Sequence, residues 1–371
     1  MALAILKTAR RGKRGIRNSN LPSEIEARPL AIRNGAHVLC LPWNGPAPNP
    51  RAMAVYTDID DDALARMLAE YDLGTPLAFK GIAEGVENSN FLLETTTGRY
   101  ILTVFEKRVK AADLPFFMGM MGHLAEKGFP APLPVAARDG NPQRTLCGKP
   151  AVIITFLNGI SLRRPTVDQC RVLGAGLARF HSALTDFRMR RRNNLALEAW
   201  PRLFEGREAE ADALMPGLSV QIAGDLALLK KNWPKTLPAG AIHADLFPDN
   251  AFFLGDALSG VIDFYFACTD YLAYDLAVCL NAWAFERRGE YNATKGKALI
   301  AGYASVRRLE PRELEALPIL CRGAAMRFFL TRLVDWASTP ADALVKPHNP
   351  MDFAERLGFH RQARGVEDYG G

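Results

Sequence analysis

Leu64, Met67, Leu68 and Tyr71 recur at i, i+3, i+4 and i+7, which predicts an amphipathic helix capped by Asp58 or Asp60 and stopped by Gly74 and Pro76. The pattern then changes to short apolar runs of strand length. Residues Lys80 to Asn90 form a glycine-bearing turn that leads into the strand Phe91–Glu94. A further strand follows over Tyr100–Lys107, where alternation puts Thr103, Phe105 and Lys107 on one face. A helix is predicted over about Asp113–Lys127, closed by the proline-rich stretch from Pro130 to Pro134. Ala151–Leu157 reads as a buried strand ending at Asn158 and Gly159. Leu173, Leu177, Phe180 and Leu184 mark a helix on which His181 is a packed residue. Ala251–Leu254 and Ser259–Ile262 predict a β-hairpin turning through Gly255–Leu258, and the runs Tyr274–Phe285 and Ala324–Trp336 predict helices.

Chemistry concentrates around that last hairpin. His243-Ala244-Asp245 precedes it, Asn250 enters its first strand, and Asp263 leaves its second, so Asp245, Asn250 and Asp263 gather at the end opposite the turn. Moving a phosphoryl group from Mg-ATP to a hydroxyl needs one carboxylate to orient the alcohol and accept its proton, and oxygen ligands to hold magnesium against the phosphates. Asp245 is the candidate base; Asn250 and Asp263 are the candidate Mg²⁺ ligands, a hard-oxygen set that suits this ion. His243 is read as a scaffold residue, because the carboxylate already fills the role of base. After Asp263 the chain runs through Ala267-Cys268-Thr269-Asp270 straight into an apolar helix, which leaves no room for a long activation segment. A small-molecule acceptor is expected.

The spacing His-x-Asp-x-x-x-x-Asn followed by Ile-Asp-Phe resembles the core of the aminoglycoside phosphotransferase-like kinases, with Tyr265 where protein kinases carry glycine. Met53 to Thr57, Gly85 to Phe91, the strand with Thr103 and Phe105-Glu106-Lys107, and Tyr274-Asp275-Leu276-Ala277 with Leu280 to Trp283 narrow the resemblance. They are similar to the bacterial homoserine-kinase branch, over residues 53 to about 360. The resemblance implies an α+β, two-lobed protein-kinase-like fold: a small antiparallel-sheet N-lobe over residues 53–157 that binds nucleotide, and a larger, mainly helical C-lobe over 158–371. It implies ATP and Mg²⁺ as cofactors, L-homoserine as acceptor and O-phospho-L-homoserine as product, on the route to threonine. Gly81, Gly85, Ser89 and Lys107 are its candidate nucleotide contacts. Thr103 stands where such kinases place a phosphate-binding lysine, and Phe116 to Met118 stand where that lysine's acidic partner is sought. Arg327 and Arg332 are candidates for the substrate carboxylate; five residues apart on a helix, about 140° around it, at most one faces the cleft. A kinase of the same fold acting on choline, an aminoglycoside or another amino alcohol is the nearer alternative. A non-catalytic nucleotide-binding module is the other.

Composition fits an enzyme with a substantial core: 371 residues, 49% hydrophobic and 23% charged. Six widely spaced cysteines form no C-x-x-C pair, and no apolar run reaches membrane-spanning length, so a reduced, cytoplasmic protein without membrane or nucleic-acid partners is expected. The net charge of +6 belongs to the first 52 residues, where nine Lys/Arg face two acids; that excess of seven leaves −1 for the rest. This Pro-, Gly- and Asn-rich stretch is expected to be a disordered extension, with translation beginning at Met53; a nucleic-acid-binding arm and a targeting peptide are the other readings.

Overall fold

The computed structural model describes residues 57–82, 88–106, 109–287, 289–339 and 347–371, all within the unit Asn49–Gly371. The expectation for residues 1–52, and those for Gly85 and Lys107, lie outside the described residues.

Helix α1 (Asp61–Leu68) opens on Asp60, whose Oδ1 accepts the Ala63 N–H at 2.6 Å. Of the two possible caps, the nearer one serves. Next come β1 (Pro76–Ile82), β2 (Asn88–Thr95), β3 (Gly98–Phe105), α2 (Leu114–Glu126), β4 (Gln143–Leu146) and β5 (Lys149–Thr155). The five strands form one antiparallel sheet in the order β1-β2-β3-β5-β4. Alternation divides its two faces. Phe91, Leu93, Leu102, Val104, Ala151 and Ile153 pack with Leu64, Met67 and Leu68 of α1. Phe105, Val152 and Ile154 face the opposite way, into a larger core shared with α2 and the helical region. The strand predicted over Ala151–Leu157 starts two residues earlier, because Cys147 and Gly148, both at positive φ (51° and 74°), make the β4–β5 turn.

Phe156 to Gly159 then lead out of the sheet. Gly159 has φ +152°, and a Cβ there would sit 2.5 Å from Ser259 Oγ and 2.7 Å from Phe252 Cβ, so this crossing demands glycine. The remainder comprises β6 (Ile160–Ser161), α3 (Val167–Ala183), α4 (Trp200–Phe204), α5 (Glu208–Leu214), α6 (Leu218–Asn232), β7 (Ala239–Ile242), β8 (Ala251–Leu254), β9 (Ala257–Val261), β10 (Cys268–Tyr271), α7 (Leu272–Trp283), α8 (Ala293–Ala304), α9 (Pro311–Ser338) and α10 (Met351–Gln362). A capping box, Thr166 with Gln169, starts α3. Gly174 of α3 and Gly302 of α8 let those helices touch backbone to backbone: a Cβ on either would meet a carbonyl oxygen of the other at 2.1 Å and 2.0 Å. The buried Asp225 on α6 pairs with Arg322 of α9 and Arg361 of α10, tying three helices. No helix among the described residues is long and apolar enough to cross a membrane.

The β8–β9 hairpin turns through only two residues, Gly255 and Asp256, since Leu254 pairs with Ala257. Gly255 at φ +60° permits that tight turn, where a four-residue turn was predicted.

Candidate active site

The site is built where three short elements meet. Strand β7 ends at Ile242, and β10 pairs beside it with Cys268 opposite Ile242. The loop after β7 carries His243, Ala244 and Asp245, then a single 3-10 turn, Pro248–Asn250, passes into β8. The backbone N–H of Ile262 donates to the Asn250 carbonyl at 3.0 Å, so the residue just before Asp263 is bonded to Asn250 itself. Hairpin closure thereby joins the two predicted metal ligands.

Two non-glycine residues in this loop system occupy left-handed backbone, Ala244 and Asp263, both at φ +63°. Such conformations cost about 1–3 kcal/mol each and persist only when surroundings over-determine them. At Ala244 the determinants are clear. Its N–H donates to Asp275 Oδ1 at 2.8 Å, and its carbonyl accepts from Arg327. Asp275, in the first turn of α7, also accepts the His243 N–H at 2.8 Å and lies 3.0 Å from His181 Nε2, while His181 Nδ1 meets the Tyr303 hydroxyl at 2.8 Å. Burial alone raises the Asp275 carboxyl; the His181 contact and the backbone N–H groups outweigh it, and the group is held below the usual Asp value. A fully buried carboxylate therefore clamps the backbone on which Asp245 sits.

His243 has both ring nitrogens committed. The Asp245 N–H donates to Nδ1 at 3.2 Å, which puts the proton on Nε2, and Nε2 donates to the Ile262 carbonyl at 2.9 Å. Burial holds its pKa below the ordinary imidazole value despite the nearby charge of Asp275. It is a neutral strut between the Asp245 loop and the Asp263 turn.

Asp245 itself is partly exposed. Asn250 Nδ2 donates to the Asp245 carbonyl at 2.8 Å and lies 3.4 Å from Asp245 Oδ2, so the Asn250 amide nitrogen is spoken for and its side-chain oxygen is the atom that remains for a ligand. Arg327 NH2 is 3.6 Å from Asp245 Oδ1. The Arg327 side chain is only 3% exposed, with its guanidinium between the rings of Phe266 (5.2 Å) and Phe328 (4.3 Å). Arg327, a candidate for the substrate carboxylate, is instead enclosed and paired to the loop.

On the sheet side, Thr103 and Asn90 are cross-strand neighbours, with Thr103 Oγ1 donating to Asn90 Oδ1 at 2.8 Å. Tyr265 packs edge-on against Phe105 (4.8 Å) and Phe117 (5.7 Å), joining the Asp263 turn to β3 and α2. Gly81 lies in β1, paired with Phe91. Ser89 departs from expectation. Its side chain is on the α1 face, where Oγ donates to Glu106 at 2.6 Å and accepts the Thr57 N–H at 3.1 Å. The pleat turns Asn88 and Asn90, not Ser89, to the face that Thr103 shares. Glu106, also bonded to Lys149 and Thr57, has a side chain only 5% exposed; burial raises its pKa, but these donors pull it below the usual Glu value.

Sequence reasoning did not single out Asp275 or the pairing of Arg327 with Asp245. The signals for Asp275 were its place in the Tyr274-Asp275-Leu276-Ala277 stretch and an acid in the first turn of a mostly apolar helix, neither of which names its partners.

Among the described residues no three His, Cys, Asp or Glu side chains cluster as a metal cage. One carboxamide oxygen and one carboxylate nevertheless fit Mg²⁺, which takes one or two protein ligands and completes its shell with phosphate and water.

A five-stranded antiparallel sheet beside a mainly helical region, with an Asp–Asn–Asp loop system between, defines a small kinase-like phosphotransferase architecture. The chain belongs to the phosphotransferase enzyme family, whose model matches residues 78–309. It is 62% identical over 327 residues to a homoserine kinase of Hyphomonas neptunium, covering 86% of this chain and all of that protein. It is 56% identical over 318 residues to the homoserine kinase of Rhizobium meliloti, covering 86% of this chain and 98% of that one. Among solved structures, a microcompartment-associated aminopropanol kinase superposes with TM-score 0.63 at 19% identity, over 84% of this chain and 99% of that one. An amicoumacin kinase gives 0.61 at 15% identity, over 83% and 93%. At these identities the structures speak for the fold.

Proposed function

We propose that this chain is a homoserine kinase, transferring the γ-phosphoryl group of ATP to the hydroxyl of L-homoserine to give ADP and O-phospho-L-homoserine, a step in threonine biosynthesis in the cytoplasm. The observation that carries it is the 62% identity with a homoserine kinase over that protein's whole length. The site chemistry agrees with it.

In this mechanism Asp245 accepts a hydrogen bond from the substrate hydroxyl and takes its proton as the oxygen attacks the γ-phosphorus. The Pγ–O bond to ADP breaks in line, so the negative charge leaves on ADP and the proton rests on the carboxylate. Asn250, through its side-chain oxygen, and Asp263 would hold Mg²⁺, which when bound neutralises phosphate charge. Asp275 and His243 keep the loop in its left-handed form, and Arg327 steadies Asp245. Gly81, Asn90 and Thr103 supply the sheet face of the nucleotide site; Gly85 and Lys107 stay as proposed phosphate contacts. Ser89 contributes through Glu106, not by touching the nucleotide.

ADP release by the purified chain, measured over a panel of homoserine, choline, an aminoglycoside and 3-amino-1-propanol, tests the reading. Homoserine should give the highest kcat/KM. No homoserine-dependent ADP release, with turnover of another alcohol, would reject it.

A further inference from the structure

We infer that Arg332 receives the substrate carboxylate and so makes this site select an amino-acid alcohol over a simple amino alcohol; this rests on the homoserine reading above. Arg327 is unavailable for that role, being buried with one terminal nitrogen on the Ala244 carbonyl and the other beside Asp245. Arg332 lies five residues further along α9, roughly 7.5 Å along the axis. Homoserine spans on the order of 5 Å from hydroxyl oxygen to carboxylate carbon, so its carboxylate is bound by a cation set apart from the one that holds Asp245.

Its placement points the same way. The Arg332 guanidinium stacks over Phe353 at 4.6 Å, and Phe353 contacts Phe247, two residues beyond Asp245, at 6.4 Å between ring centroids. Arg332 is thus held one ring away from the catalytic loop. Its NH1 is fixed by the Asn349 carbonyl at 3.1 Å and by Asp352 Oδ2 at 2.8 Å. Nε and NH2 have no protein partner among the described residues, which leaves two donors of the fork for a carboxylate. The side chain is 16% exposed, so a ligand reaches a cation largely removed from water. Burial lowers the pKa of this guanidinium, and the charges of Asp352, Asp245 and Asp249 act in the opposite sense, which also sets Arg332 within electrostatic reach of the Asp245 loop.

The experiment compares L-homoserine with 3-amino-1-propanol, the same molecule without its carboxylate, at saturating Mg-ATP. The readouts are KM for homoserine and kcat/KM for the amine, or its inhibition constant where turnover is too slow. R332Q should raise KM for homoserine about 10–100-fold, the worth of a hydrogen-bonded charge contact, and leave the amine unchanged. R332K, which keeps a cation and an apolar stem over Phe353, should fall between. D352N, which removes the ion pair but not the guanidinium, should keep the KM for homoserine within a few-fold. Equal losses for both alcohols, or no change for either, in variants that unfold at the wild-type temperature, would overturn the assignment of Arg332 while leaving the kinase reading intact. A wild-type chain that ignores homoserine overturns both.

Discussion

Arg327 places NH2 3.6 Å from Asp245 Oδ1 and donates through NH1 to the carbonyl of the residue just before, Ala244. One planar fork therefore holds both the carboxylate and the strained peptide that carries it. Lysine supplies charge but not the fork. R327K should lower kcat by about 10–100-fold, as loss of a supporting contact to an active group commonly does, with KM for ATP little changed. Steady-state kinetics check this, and a wild-type kcat in R327K would contradict it.

Asp275 is a second support, and its removal should act on the fold as well as the chemistry. Asp275→Asn turns an amide NH₂ toward a backbone N–H in either orientation, that of Ala244 at Oδ1 or that of His243, together with His181 Nε2, at Oδ2. Breaking a buried charged network in this way costs about 3–5 kcal/mol. Urea unfolding should show a loss of unfolding free energy of that size, read as a lower midpoint at an unchanged slope, with loss of activity in the remaining folded fraction. An unchanged midpoint would mean that the clamp on Ala244 is not Asp275.

The pattern of apolar positions disclosed most elements, because α1, α3 and the β8–β9 hairpin carry their own periodicity and turn residues. That Asp245, Asn250 and Asp263 lie at one end of the hairpin was legible for the same reason: the hairpin itself sets their backbone proximity, so local spacing suffices. Ser89 was not legible. Which face of β2 it occupies depends on its register with β3, where Ser89 lies opposite Val104, and a run of polar residues gives no alternation to show it. Asp275 and Arg327 were hidden by distance along the chain, since their partners at residues 243–245 lie some thirty and eighty positions earlier. The Cys147-Gly148 turn was missed because a cysteine at positive φ is a rare turn former.

Acid should destabilise this protein well before its carboxylates titrate. His360 is fully enclosed between Asn281 and Tyr369, and burial, reinforced by Arg356 and Arg322, lowers its pKa to about 3 from an ordinary 6.5. The native state keeps it neutral while the unfolded chain takes up a proton. Its contribution is therefore complete above pH 6.5 and lost progressively as pH falls toward 3. The same direction holds for His243. Each such histidine removes about 1.4 kcal/mol per pH unit within its window. The urea midpoint should fall between pH 7 and pH 5, and a flat profile over that range would show that these imidazoles are not buried neutral.

Asp245→Asn removes the proposed proton acceptor while preserving the shape of the loop. Turnover with saturating homoserine and Mg-ATP should drop by about 10²–10⁴-fold, with Mg-ATP affinity and unfolding temperature near wild type. The matching Asp263→Asn should instead weaken Mg-ATP by at least the roughly 10–100-fold typical of altered metal sites. Near-normal turnover in Asp245→Asn would mean that Asp245 does not take the hydroxyl proton.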